Sequence, residues 1–247
     1  MEANRNAAPQ NTETNKPFVR YHALDVLRGL CLILMVIHHA LFDIDDLGLV
    51  ALPWLESGWF KVIQTFFASW FVILAGSSCN FSRNNSKRAW ILIIVALGIS
   101  GFTKVFAPGL EIRFGIIHML GLSTLLYSYF GKWLRKVPFP VWLVLWAATW
   151  QLPHIYTNIP GLWWLGIRTA SFSSGDYYPM MPWFFMYMFG VWFGKMVQEG
   201  KMPQWFYELR NPTLEKISSK SLHIFIFHQP ILIAVIGAVG KMLGLTE

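Results

Sequence analysis

The sequence predicts an all-α fold, a polytopic membrane bundle of about seven transmembrane helices. Three observations predict it. Hydrophobic residues make up 55% of the 247 and charged residues only 13%, where a soluble domain carries about a quarter charged. Seven apolar stretches of roughly membrane-spanning length can be drawn along the chain. Lys and Arg fall unevenly on alternate sides of those stretches, fifteen against five. Cytoplasmic loops accumulate Lys and Arg, so the bias places the N-terminus in the cytoplasm and the C-terminus outside. It also explains the formal charge of +7 without any nucleic-acid partner.

The spans lie at about 24–42, 59–80, 89–106, 112–130, 139–152, 180–197 and 220–242. The first is a continuous apolar run with polar residues at each end. The second closes on the small residues Ala75-Gly76-Ser77-Ser78. The third and fourth are bounded by basic turns and by Phe114-Gly115. The fifth, between Pro138 and Pro153, barely crosses a bilayer unless its flanks join it. Dropping it would move the five charges of the loop after the sixth span to the wrong side. The sixth follows Pro179, and the seventh carries Pro230 within it, which is expected to kink it. Residues 1–20 are polar and read as a disordered cytoplasmic tail, with no cleavable signal peptide. Residues 21–247 read as one transmembrane domain without internal repeat. Cys31 and Cys79 sit in apolar spans, so neither a disulfide nor a metal framework is expected. No HxxxH or Cys/His spacing points to haem or metal.

The candidate chemistry centres on the first span. Asp25 and Arg28 lie near its cytoplasmic end, His38, His39 and Asp43 near its external end. Arg28 and His39 are eleven positions apart, which returns to within roughly 20° of one helix face, about 16 Å along the axis. A cation at one end would hold an anionic co-substrate. An imidazole at the other, with an ordinary pKa near 6.5, would transfer protons. The plain alternative is a snorkelling Arg and an interfacial His. Asp43, one turn beyond His39, and Asp176, in the long external loop, are candidates to orient the imidazole by a hydrogen bond. Gly76, Ser77 and Ser78 lie at the depth of Arg28, either beside a co-substrate arm or as close-packing residues. His118, and His228 with Gln229, are intramembrane polar groups, open to function or to an inter-helix hydrogen bond.

Five stretches together resemble a known family: Leu24-Asp25-x-x-Arg28-Gly29 running into His39, Ala75 to Ser78, Phe114 to Gly121, Asp176 to Trp183, and His228-Gln229-Pro230. The resemblance, from about Tyr21 to Gly240, is to bacterial relatives of the heparan-alpha-glucosaminide N-acetyltransferase catalytic domain, within a wider transmembrane acyltransferase superfamily. It implies an enzyme of the bacterial plasma membrane. Such an enzyme moves an acyl group, commonly acetyl, from cytoplasmic acyl-CoA to an acceptor, often a sugar, at the external face. It implies His39 as the catalytic position and Arg28 on the CoA side; Gly76, Ser77, Ser78 and the basic rim around Arg83 are expected to meet the CoA arm and phosphates at the same depth. No metal is implied; a homo-oligomer is compatible. Some larger members carry Asn where His39 stands and a catalytic His in the following loop, and no His occurs here between Leu41 and Phe60. Two other functions fit the polar spans: a proton-coupled transporter of a small solute, and a non-catalytic membrane partner. The first would be expected to show an inverted repeat with paired broken spans, and none is visible.

Overall fold

The computed structural model describes residues 20–245. The expected tail over 1–20 therefore lies, apart from Arg20, outside the described residues. Helix α1 spans His22–Asp46, α2 Gly58–Ser77, α3 Asn85–Phe106, α4 Ile116–Leu134 and α5 Phe139–Thr149. Helix α6 spans Met180–Gln198, α7 Gln204–Glu208, α8 Pro212–Ser219 and α9 Ser221–Met242. The spans read from sequence each fall on a helix, with ends shifted by a few residues. The short α7 and α8 were not anticipated. Helix α8 had a readable start: Asn211 caps it by accepting from the Leu214 N–H, and Pro212 follows at the first helical position, where its missing N–H costs nothing.

Among the described residues, four helices are long and apolar enough to cross a membrane: α1, α2 with its 3₁₀ extension to Asn80, α3 and α9. Their outward faces carry exposed Val62 and Phe66, Ile94 and Leu97, and Ile231 and Val235, as a lipid environment requires. With 19 residues each, α4 and α6 are roughly 28 Å long. Helix α5 has 11 and reaches about 16 Å, so it is too short to cross alone, as its sequence implied. It nevertheless runs from one end of the bundle toward the other along α6. Its Phe139 ring stacks 4.0 Å from Trp192 near the end of α6, and Trp150, just past its C-terminus, lies 6.1 Å from Trp183 near the start. Helix α9 continues through Pro230 as one element.

Helix α6 is the centre. It packs on α2, α5 and α4, and α3 packs on α4; α1 packs on α2, α8 and α9. The α2–α6 seam is made of small residues. A Cβ on Gly76 would meet the Tyr187 carbonyl oxygen at 2.1 Å, and one on Gly190 would meet that of Ile73 at 2.2 Å. Helices in lipid associate by such backbone proximity. Gly76→Ala is therefore expected to destabilise the protein by about 1–3 kcal/mol through overpacking. Gly98→Ala, where a Cβ meets nothing within 4 Å, should be neutral or stabilising, since alanine is the better helix former. Thermal unfolding of the two variants in detergent checks this.

Candidate functional site

At one end of the bundle, α1, the close of α2 and α8 meet around Arg28. Its Nη1 donates to Asp25 Oδ1 at 3.0 Å and to Ser218 Oγ at 3.2 Å, and its Nη2 to Ser78 Oγ at 2.7 Å. Ser78 passes its own hydrogen on to the Leu74 carbonyl, and Arg20 pairs with the other oxygen of Asp25. Beside this network, His22 Nδ1 lies 2.7 Å from Glu215 Oε2. These contacts are possible because α1 and α8 touch backbone to backbone: a Cβ on Gly29 would strike the Leu214 carbonyl. The network holds the guanidinium in one place with a face to spare.

That face lines a cavity of about 390 Å³ between α1, α2, α3, α4 and α9. Its polar mouth is formed by Arg28, Lys87 and Arg88, with no carboxylate in the lining. Arg88 is steadied by donating to the Ala75 carbonyl at 3.0 Å. The remaining wall is apolar and includes Phe71, Ile117 and Phe225. The Phe225 ring stacks 6.2 Å from Phe71 and lies 5.6 Å from the His228 ring one turn further along α9. His228 in turn lies 4.9 Å from His39. A line of side chains thus joins the cations of the cavity to two imidazoles, His228 on α9 and His39 in the other half of α1.

The protonation of His228 follows from its partners. Its Nδ1 faces the carbonyls of Phe225 at 2.9 Å and Ile224 at 3.1 Å, which only accept, so Nδ1 carries the hydrogen and Nε2 presents a lone pair. Nε2 is buried without a partner, as are Asp43 Oδ2 and Gln229 Oε1. Asp43 is only 5% exposed, and its Oδ1 accepts from Gln229 Nε2 at 2.7 Å. Three acceptors therefore stand unmatched on adjoining turns of α1 and α9. Leaving each unmatched costs about 1–3 kcal/mol, and groups bearing N–H or O–H would match them. His39 forms no hydrogen bond among the described residues and is half-buried against His228. His38 stacks on Phe60 at 5.7 Å, with its ring edge-on to that of His39 at 5.4 Å.

Several sequence candidates are placed differently from their expected roles. Neither Asp43 nor Asp176 hydrogen-bonds His39. Asp43 turns sideways to Gln229 and ties α1 to α9 instead. Asp176 Oδ2 accepts from the Ile116 N–H at 2.9 Å and so caps the N-terminus of α4, where a helix has unpaired donors. His118 belongs to the same cap: its Nδ1 accepts from the Gly115 N–H at 3.2 Å, leaving Nε2 to donate to Ser100 Oγ at 2.9 Å. Both ring nitrogens thus have partners, which fix the orientation of the His118 ring. Gly76 and Ser77 lie in the α2–α6 seam, with Ser77 wholly buried and donating to Leu74. They are closed off from any co-substrate arm, and Ser78 is the member of that motif that reaches Arg28. Arg83 lines a separate cavity at the same end. Among the described residues no group of three or more His, Cys, Asp or Glu is placed to hold a metal. Ser218 and Glu215 were missed as partners of Arg28 and His22, because α8 was not drawn.

Burial raises the Asp176 carboxyl from its usual range to about 6, against the opposing hydrogen bond from Ile116. The folded protein therefore binds this proton more tightly than the unfolded chain. The associated stability is present at acid pH and is lost as pH rises from about 4 to about 6. Asp176→Asn is expected to flatten that part of a Tm-against-pH curve in detergent. An unchanged slope would remove Asp176 as its source.

With this geometry in hand, comparison with known proteins gives one match. The family model described as "Heparan-alpha-glucosaminide N-acetyltransferase, catalytic" matches residues 20–230. No curated protein and no solved structure matches the chain.

Proposed function

The chain belongs to the heparan-alpha-glucosaminide N-acetyltransferase catalytic family, and we propose that it transfers an acyl group, acetyl in the first instance, from acyl-CoA to a sugar acceptor across the membrane. The observation that carries this reading is the line Arg28, Phe225, His228, His39. It links a cationic, partly apolar cavity to two imidazoles. A ligand with a phosphate-rich head and a long uncharged arm ending in a thioester has the shape of that line. The helix rise between Arg28 and His39, about 16 Å, is of the order of an extended pantetheine arm.

In this proposal the basic end is cytoplasmic, the seven helical segments α1 to α6 and α9 cross the bilayer, and the domain is a single one over 21–247. The charge bias supports the orientation, and so does the placing of Arg28, Lys87, Arg88, Arg135 and Lys216 on helix ends that share one side. The CoA diphosphate binds Arg28, Lys87 and Arg88, and Ser78 fixes the guanidinium. The arm runs along Phe71 and Phe225. Other N–H or O–H groups of the acceptor donate to Asp43 Oδ2 and Gln229 Oε1. His39 takes the proton of the attacking group as its nitrogen or oxygen bonds to the thioester carbon. The carbon–sulfur bond breaks, and CoA leaves as a thiolate that is reprotonated. His228, with its lone pair at Nε2, lies beside His39 to receive or return a proton.

The test is a reconstituted assay with acetyl-CoA labelled in the acetyl group and an α-glucosaminide acceptor. Label in the sugar with one equivalent of free CoA thiol is expected. Absence of both transfer and acetyl-CoA binding would overturn the reading.

A further inference from the structure

The second cavity at the basic end, where Arg83 lies, is not used by the transfer steps given above. It measures about 560 Å³ and lies between the turn that leads into α3 and the last two turns of α4. Arg83, Lys132 and Arg135 line it, together with the exposed rings of Tyr129 and Trp133, and no carboxylate does. Arg135 is held in place: its Nε donates to the Tyr127 hydroxyl and its guanidinium sits 5.4 Å from the centre of that ring. Asn84, which caps α3 by accepting from the Lys87 N–H at 2.8 Å, lines this cavity and also the cavity of Arg28, Lys87 and Arg88. The two cavities are therefore neighbours. Between them they are lined by six cations and no carboxylate, and of the six only Arg28 pairs with an acid, Asp25, among the described residues.

Such an arrangement fits a ligand whose negative charge comes in two separated groups. One phosphate or diphosphate would not need both cavities, and clustered like charges repel one another unless an anion is shared among them. A flat ring system attached to the second anionic group would find Trp133 and Tyr129 to stack on, and Arg side chains to cover it. We propose that this cavity holds the 3′-phosphoadenosine end of acyl-CoA, while the diphosphate and arm occupy the neighbouring cavity. The inference rests on the acyl-CoA reading above and adds to it a specificity: the protein discriminates CoA from donors that lack the 3′-phosphate. Arg83 and Lys132 bind the 3′-phosphate; Arg135, braced on Tyr127, faces it as a fixed charge.

The experiment measures equilibrium binding of CoA, 3′-dephospho-CoA and pantetheine to the purified full chain in an uncharged detergent. The wild type is compared with the double variant Arg83→Ala/Lys132→Ala, whose changes lie on exposed side chains and leave Arg135 on Tyr127. Wild type should bind CoA at least tenfold more tightly than 3′-dephospho-CoA. In the double variant, CoA affinity should fall to the level of 3′-dephospho-CoA, whose own affinity changes less than threefold. Equal wild-type affinities for the two nucleotides, or an equal loss of both in the variant, would overturn the assignment while leaving the acyl-CoA reading intact. A wild type that binds neither CoA nor pantetheine would overturn that reading itself. A parallel arm uses vesicles of phosphatidylglycerol. If the variant loses vesicle binding but keeps wild-type CoA discrimination, the cavity serves a lipid headgroup and the assignment is wrong.

Discussion

Replacing His39 with alanine is expected to lower acyl transfer by about 10²–10⁴-fold, the usual worth of a positioned general base, while acyl-CoA binding stays within about twofold of wild type. The separation follows from geometry. His39 lies at the far end of the line from Arg28, packed on His228 at 4.9 Å, and it forms no hydrogen bond whose loss would disturb the cavity of Arg28, Lys87 and Arg88. His38→Ala is the control. Its ring stacks on Phe60 and meets His39 only edge-on, away from His228, so the same chemical change one residue away should leave transfer near wild type. Equal losses in the two variants would point to damage of the outer half of α1 and not to proton transfer.

Replacing Arg28 with alanine should act at the opposite end, weakening acyl-CoA binding by at least tenfold and also lowering stability. The guanidinium bridges Asp25, Ser78 and Ser218, so its removal unties α1 from α2 and α8. Removing one partner of a fully buried ion pair costs about 3–5 kcal/mol. Here both partners are about one-fifth exposed, and Asp25 keeps Arg20 and Ser218, so about 1–3 kcal/mol is expected. Arg28→Lys separates the two roles. A lysine keeps the charge facing the cavity but cannot reproduce the planar fork. It should recover much of the binding and little of the Tm. Recovery of both together would mean that charge alone, without the bridging geometry, accounts for Arg28.

How far the sequence shows this arrangement depends on the kind of signal. Apolar length and Lys/Arg asymmetry report the environment of whole segments, and they located each long helix within a few residues. They also carried the pairing of Arg28 with one end and His39 with the other, because helix periodicity fixes which residues share a face. The partners of those residues are set by long-range packing. Ser218 reaches Arg28 across 190 positions, and Gln229 reaches Asp43 across 186; periodicity within one helix contains no information on either. Gly76 shows the same limit from the other direction. A small residue at the end of a span is compatible with an open path or a tight seam, and only the position of the Tyr187 carbonyl decides for the seam. Asp176 was read as an external carboxylate that could orient an imidazole, and His118 as chemistry because intramembrane polar groups are expensive. The structure shows that expense offset by the N–H groups of Ile116 and Gly115 at the start of α4. His228 was visible as a polar residue in a span, but its fixed lone pair at Nε2 became legible only once its Nδ1 was seen against two carbonyls.

The central claim is that acyl-CoA lies along α1 and α9 with its phosphates at Arg28 and its thioester at His39. A cryo-EM map of the purified protein with CoA tests it most directly. Phosphate density against Arg28, Lys87 and Arg88, with the thiol directed past Phe225 toward His228 and His39, is the expected result. CoA bound at the His39 end by its phosphates, or with its arm directed away from α9, would contradict it.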